Sequence, residues 1–284
     1  MFKYIFKSGS VWYRRGLYGL LWAIVAFSII ITSPQASYGR PWWQILQQGA
    51  TAIQLSNLSD QQEVNFGQQI NQELVKSRKI NLSQNQAINQ YVKEIGRRLV
   101  PYSSRPNIPY TFQVVNDKTV NAFATMGGYV YIHTGLIKIA SNEAELASVI
   151  GHEMGHIAAR HAIKQMRNAA LTQGLLGVAG LDQRTLVQLG VQLVYSLPHS
   201  RQDELEADQM GLQTIEQAGY APSAMVSFMK KLMRQGGSTP AFLSSHPATS
   251  YRVEQLQAAI DPQTANVGKG LDSQAYQNRI RSIL

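Results

Sequence analysis

From Asp60 onward the chain alternates stretches of helical apolar spacing with one region where the period falls to two. Ser59-Asp60-Gln61-Gln62-Glu63 opens a helix with a capping-type pattern, and the spacing carries it to about Val75. Ala87, Ile88, Tyr91, Val92, Ile95 and Leu99 share one face of a second helix, 83–100, which Pro101 closes. Between 110 and 140 the pattern predicts strands at Tyr110–Val115, Val120–Thr125 and Tyr129–His133. Asn116-Asp117 and Gly127-Gly128 supply turn signals. Helical spacing returns at Asn142, with later helices expected near 203–218, 222–235 and 249–260. Residues 168–198 are nearly uncharged and rich in Leu, Gly, Gln and Val. They are expected to pack into the core, a cover over the site or a membrane contact being the other uses. The polar tail from 261 reads as peripheral, and no internal repeat is visible. The prediction is an α+β domain, mostly helical, with a small three- to four-stranded sheet.

The first forty residues follow another logic. Lys3, Lys7, Arg14 and Arg15 precede the apolar run Leu17–Ile31, and the small-residue patch Ala36-Ser37-Tyr38-Gly39 follows it. These are the parts of a secretory signal. Trp12-Tyr13 and Trp42-Trp43 flank the run as interfacial anchors do, which suits an uncleaved tether. Residues 1–40 are therefore expected to be a signal peptide or a single membrane anchor, with 41–57 a Gln-rich linker. The charge bias keeps the N-terminus cytoplasmic and places the body across the membrane, in a periplasm or its equivalent.

Charge and composition narrow the function. The net charge is +9, yet 41–284 hold 21 cations against 17 acids and no basic run, so nucleic acid is not an expected partner. There is no cysteine, which excludes thiol catalysis, disulfides and thiolate metal sites. Any metal site must use histidine and carboxylate.

His152-Glu153-Met154-Gly155-His156 offers such a site. On a helix, positions four apart share a face, so both imidazoles can reach one Zn²⁺ at about 2.0–2.1 Å. Glu153 lies about 100° round the helix, where it can take a proton from an attacking water and pass it to the leaving amine. The context is helical, because Asn142 and Glu145 form a capping pair and Ala144, Leu146, Ala147, Val149 and Ile150 run into the histidines. Gly151 and Gly155 each cost roughly 1 kcal/mol in a helix, and they leave room for close backbone approach. A catalytic zinc takes three protein ligands and keeps one open position. On a continuing helix His161 points about 180° from His152, so it reads as a solvated or core-capping residue. The third ligand is expected in Ser200-Arg201-Gln202-Asp203-Glu204-Leu205-Glu206-Ala207-Asp208. There Glu204 and Asp208 share a helix face, one to bind zinc and the other to orient a histidine. Spacing alone leaves Asp203 and Glu206 open beside Glu204. His133 reads as structural and His199 as a loop cap.

These motifs, with Asn121-Ala122-Phe123-Ala124 before Gly127-Gly128 and Ser245-His246-Pro247 before Arg252, resemble the gluzincin metalloprotease family of HtpX and the CAAX prenyl endopeptidase. The likeness runs over roughly 58–260 and is nearest to compact LoiP- and Oma-like members. Met126 departs from it, standing where these proteins often carry proline. The resemblance implies a zinc peptidase domain over 58–262, a C-terminal tail at 263–284, and one Zn²⁺ per chain. It implies His152, His156 and Glu204 as ligands, Asp208 behind them, and Glu153 as catalytic base. It places His246 near the metal, either stabilising an oxyanion or as a displaceable fourth ligand. It makes Asn121, Ala122 and Phe123 the edge that pairs with an extended substrate, with Arg252 also counted as substrate-binding. The implied activity is hydrolysis of misfolded or membrane-associated proteins. The alternative is a zinc-stabilised chaperone or binding module, in which Glu153 would have no use.

Overall fold

The computed structural model of the chain describes residues 57–172, 183–196, 198–234 and 240–283, so the expected export segment and linker lie outside it. Helix α1 (Asp60–Lys76) begins at Ser59, whose side chain accepts the Gln62 N–H while the Gln62 side chain accepts the Ser59 N–H. Helix α2 (Gln86–Leu99) starts later than the periodicity suggests, because Asn85 is the cap, accepting from the N–H groups of Ala87 and Ile88.

Strands β1 (Thr111–Val115), β2 (Ala122–Thr125) and β3 (Tyr129–His133) form one sheet in the order β1-β3-β2. β1 runs parallel to β3 and β2 antiparallel to it, which leaves β2 at an edge. The β2–β3 turn needs glycine, since Gly127 has φ 76° and Gly128 φ 96°. Helix α1 lies directly on this turn, where a Cβ on Gly67 would come within 2.1 Å of the Met126 carbonyl oxygen.

After α3 (Thr134–Ile139), helix α4 (Glu143–Ala158) crosses the middle of the domain with every residue from Ala144 to Ile157 buried. Asn142 caps it by accepting the Glu145 N–H. The expected capping pair is only half formed, because the Glu145 carboxylate turns to the Ser141 N–H, Ser227 and Lys231. Helices α5 (His161–Thr172) and α6 (Gln183–Ser196) follow, then α7 (Arg201–Gln217), α8 (Ser223–Arg234), α9 (Ala241–Ser245), α10 (Ser250–Ala259) and α11 (Ser273–Ile283).

The two faces of the sheet serve two cores, as a period of two allows. Ala122, Val130 and Ile132 join α2 and α4 in the larger one. Phe123, Tyr131 and Val115 join Ile70, Leu74, Met166, Val187 and Leu193 in the smaller. The described part of 168–198 therefore packs as core. The tail does not behave as its polarity predicts: Tyr276 and Ile280, four apart on α11, are buried, and the Tyr276 hydroxyl donates to the Ile137 carbonyl at 2.7 Å. Among the described residues no helix is long and apolar enough to cross a membrane.

One buried charge cluster fixes the end of α4. Glu63, 1% exposed, accepts from Arg105 at 2.8 Å and pairs with Arg160 at 3.1 Å. Arg160 holds φ 59° at the break between α4 and α5. Glu63→Ala leaves both guanidinium groups without their shared carboxylate, and a loss of about 3 kcal/mol in urea unfolding is expected.

Candidate metal centre

The site is built where α4 crosses α7. Small residues on both helices let the backbones touch. A Cβ on Gly155 would lie 2.6 Å from the Ala207 carbonyl oxygen, and one on Gly211 would lie 2.9 Å from the His152 nitrogen. The glycines of the His-Glu-x-x-His helix thus have the close-approach role their positions suggest, and the neighbour they admit is α7. That contact lays Glu204 and Asp208, one turn apart on α7, against His152 and His156, one turn apart on α4.

Four donors converge: His152, His156, Glu204 and His246, all buried, with ligand atoms within 4.8 Å of one another. The nearest separations are 3.1 Å between Nε2 of His156 and of His152, and 3.3 Å from His152 Nε2 to His246 Nδ1. Glu204 Oε1 lies 3.3 Å from His156 Nε2 and 3.1 Å from His246 Nδ1. Donors at the corners of a tetrahedron about 2.0–2.1 Å from a central ion stand roughly 3.3–3.4 Å apart. The observed spacings match that figure, and so many acceptor atoms are turned toward one point that a cation satisfies them together. The donor set fits a divalent metal.

Glu153 is fully buried beside this set but outside it. Its nearest titratable neighbour there is His246, whose Nε2 lies 3.5 Å from Oε1, and neither carboxylate oxygen has a hydrogen-bond partner. Burial pushes its carboxyl above the usual carboxylate range. Burial also acts on Glu204, but His246, His156 and His152 outweigh it and hold that carboxyl well below its ordinary value. Burial drives His156 well down, towards the neutral form a metal ligand needs.

Arg252 sits behind the donors and also lines the cavity beside Glu204 and His199. Its guanidinium is bidentate to Asp208 at 2.7 Å on both oxygens, meets Glu204 Oε2 at 2.5 Å and donates to the Pro247 carbonyl at 2.9 Å. One side chain thereby ties α7 to the loop that carries His246. Asp208 reaches His152 Nδ1 at 3.0 Å, the contact its spacing predicts. Arg252 and Leu256, one turn apart on α10, are both buried, a spacing that can be read in the sequence.

His199 does more than cap a loop. Its ring stacks on His246 at 5.0 Å and lies 4.0 Å from His156, while the His199 backbone N–H donates to the Ser245 carbonyl. Burial and the nearby His246 take its imidazole down to about 3. His161 is buried and not solvated, and it stays outside the donor set as expected. The helix does not continue past Ala158; it breaks at Arg160, and His161 returns beneath His156 with 1% exposure. His133 accords with a structural residue, its Nδ1 2.8 Å from the Thr119 hydroxyl. Asn121, Ala122 and Phe123 lie at and just before the edge strand β2, and the far end of that strand, Ala124 and Thr125, lines a cavity shared with His156 and His199.

Residues 86–260 match the model of Peptidase family M48. The chain belongs to that family. It is similar to the beta-barrel assembly-enhancing protease of Escherichia coli O157:H7, 34% identical over 183 residues that make up 58% of this chain and 37% of that one. It is similar to the mitochondrial metalloendopeptidase OMA1 of Schizosaccharomyces pombe, 30% identical over 176 residues, 59% of this chain and 51% of that one. With metalloprotease LoiP of Escherichia coli K12 it shares 30% identity over 223 residues, 75% of this chain and 86% of that one. It spans well under half of the first relative's length and most of LoiP's. Membership of M48 makes the domain a metallopeptidase by descent, of the predicted α+β zincin type with its small sheet.

Proposed function

We propose that the chain is a zinc-dependent endopeptidase that cleaves unfolded or misfolded proteins at or beyond a membrane, outside the cytoplasm. The observation that carries this reading is the near-tetrahedral spacing of the donors with the unpartnered Glu153 carboxylate beside them. His152, His156 and Glu204 would hold Zn²⁺, as the absence of cysteine and the histidine-carboxylate set suggest. Bound there, zinc supplies a Lewis acid that activates water and polarises the scissile carbonyl. Glu153 takes the proton from that water and delivers it to the leaving nitrogen. Asp208 orients His152, and Arg252 holds Asp208 in place.

Substrate recognition is assigned to the edge of β2 at Asn121, Ala122 and Phe123. Backbone pairing there would align an extended segment with little sequence preference, which suits unfolded chains. A cavity of about 260 Å³ lined by Glu204, His199, Arg201 and Tyr251 leaves room for a side chain next to the metal. The basic and apolar N-terminal segment supports export or tethering. A binding module with a closed structural metal is the weaker reading, because a buried carboxylate without a partner is costly unless it works.

The deciding experiment is cleavage of unfolded casein together with metal analysis. One zinc per chain is expected, with activity lost to a chelator and restored by Zn²⁺. A fully zinc-loaded chain that leaves casein intact would turn the assignment to the binding module.

His246 supplies a second test. Its Nδ1 stands in the fourth corner of the donor set, and it is carried by a loop rather than by a long helix. His246→Ala is expected to keep the metal on three donors and to raise the initial rate on unfolded casein. A fall of up to ~10²–10³-fold would instead assign His246 to oxyanion stabilisation.

A further inference from the structure

His161 belongs to neither the donor set nor the substrate edge, yet its contacts leave it little freedom. Its Nδ1 lies 2.8 Å from Nδ1 of His156. Its Nε2 faces Glu206 Oε2 at 3.3 Å and Asp203 Oδ1 at 3.5 Å. Two ring nitrogens at 2.8 Å form a hydrogen bond only if one carries a proton and the other does not. A histidine that gives its Nε2 lone pair to a metal keeps its proton on Nδ1. On the reading that His156 is such a ligand, His156 must donate and His161 Nδ1 must accept. The one ring proton of neutral His161 then sits on Nε2, directed at two carboxylates.

We propose that His161 is a positioning residue of the metal centre. It accepts the Nδ1 proton of His156 and so fixes the tautomer and ring plane of that ligand. Glu206 and Asp203 hold His161 in the tautomer that can accept. Arg160 makes the arrangement possible, because its left-handed backbone turns the chain back under α4. Without His161, the Nδ1 proton of His156 would be buried with no acceptor.

The same proton logic settles a neighbouring question. His161, Asp203 and Glu206 are close enough together to hold an ion themselves. An ion on His161 Nε2 would force a proton onto His161 Nδ1, opposite the proton of metal-bound His156, at 2.8 Å. Lys164 already neutralises Asp203 through its ammonium group. The cluster therefore holds a proton in place, which leaves the His152, His156, Glu204 and His246 set as the ion site among the described residues.

The test is metal affinity by chelator competition in the full chain, His161→Ala and His161→Gln, with ¹⁵N-histidine NMR of the zinc-loaded protein. His161→Ala should weaken zinc binding about 10–100-fold, the usual cost of losing such a partner, while saturating at one ion per chain. His161→Gln, whose amide oxygen can accept the same proton, should recover most of that loss. A purely structural histidine gives no reason for the glutamine rescue. The NMR spectrum should show His156 protonated on Nδ1 and His161 on Nε2, and it is read on the unsubstituted chain, so it stands even if a variant fails to fold. Unchanged affinity in His161→Ala, the opposite tautomers, or a second ion that disappears in His161→Ala would each overturn the proposal. If His156→Ala abolishes binding while His161→Ala leaves the affinity unchanged, this inference fails and the zinc-peptidase reading stands. If His156→Ala binds zinc normally, the ligand assignment itself is wrong.

Discussion

Glu153→Gln is expected to keep one zinc ion per chain and the native fold while lowering casein hydrolysis by about 10²–10⁴-fold. Glu153 is fully buried, stands outside the donor set and makes no hydrogen bond within the protein, so neither metal binding nor packing depends on its charge. Glutamine fills the same space and removes only the capacity to carry a proton. Burial already disfavours the charged carboxylate, so the neutral replacement should leave thermal stability equal or slightly higher. Wild-type turnover in a zinc-loaded Glu153→Gln chain would rule out the proposed base.

Glu204→Ala should act at the other end of the mechanism, removing the metal and activity with it. Glu204 is the only carboxylate in the donor set and the only donor from α7. Its loss also deprives Arg252 of one of its two carboxylate partners, though Asp208 keeps the bidentate pair. Zinc affinity should fall by more than the roughly 10–100-fold that an outer partner costs. Glu216→Ala, on an exposed position of the same helix, is the control and should bind zinc normally. Tight stoichiometric zinc in Glu204→Ala, measured by elemental analysis after dialysis, would show that another carboxylate completes the site.

The parts of this architecture that rest on local periodicity are legible in the sequence. Helix α4 announces itself through its cap and its apolar run, and the strands through their alternation and the Gly127-Gly128 turn. Glu204 is different. No spacing rule links it to His152; the link is the α4–α7 crossing, which depends on what Gly155 and Gly211 lack. Only the family resemblance chose it from Asp203 and Glu206. His161 was misplaced because helical phase was extended through Arg160, an ordinary residue in an uncommon left-handed conformation. The pairing of Arg252 with Asp208 and Glu204 exists only in three dimensions. The tail misled through composition, since two well-spaced apolar residues suffice to dock α11.

The α4–α7 crossing has a consequence for the life of the chain before it folds. The paired imidazoles lie within five residues of one another, but the carboxylate comes from a distant helix and His246 is 94 positions from His152. A nascent chain, or one threading a membrane, carries all its reactive groups and none of the geometry. The site exists only once α4 and α7 have crossed, so an unfolded copy of this protein holds the donors without the arrangement that brings them together. Folding is in that sense a precondition of activity, and the displacement of His246 from the fourth corner is a second step that the folded chain still has to take.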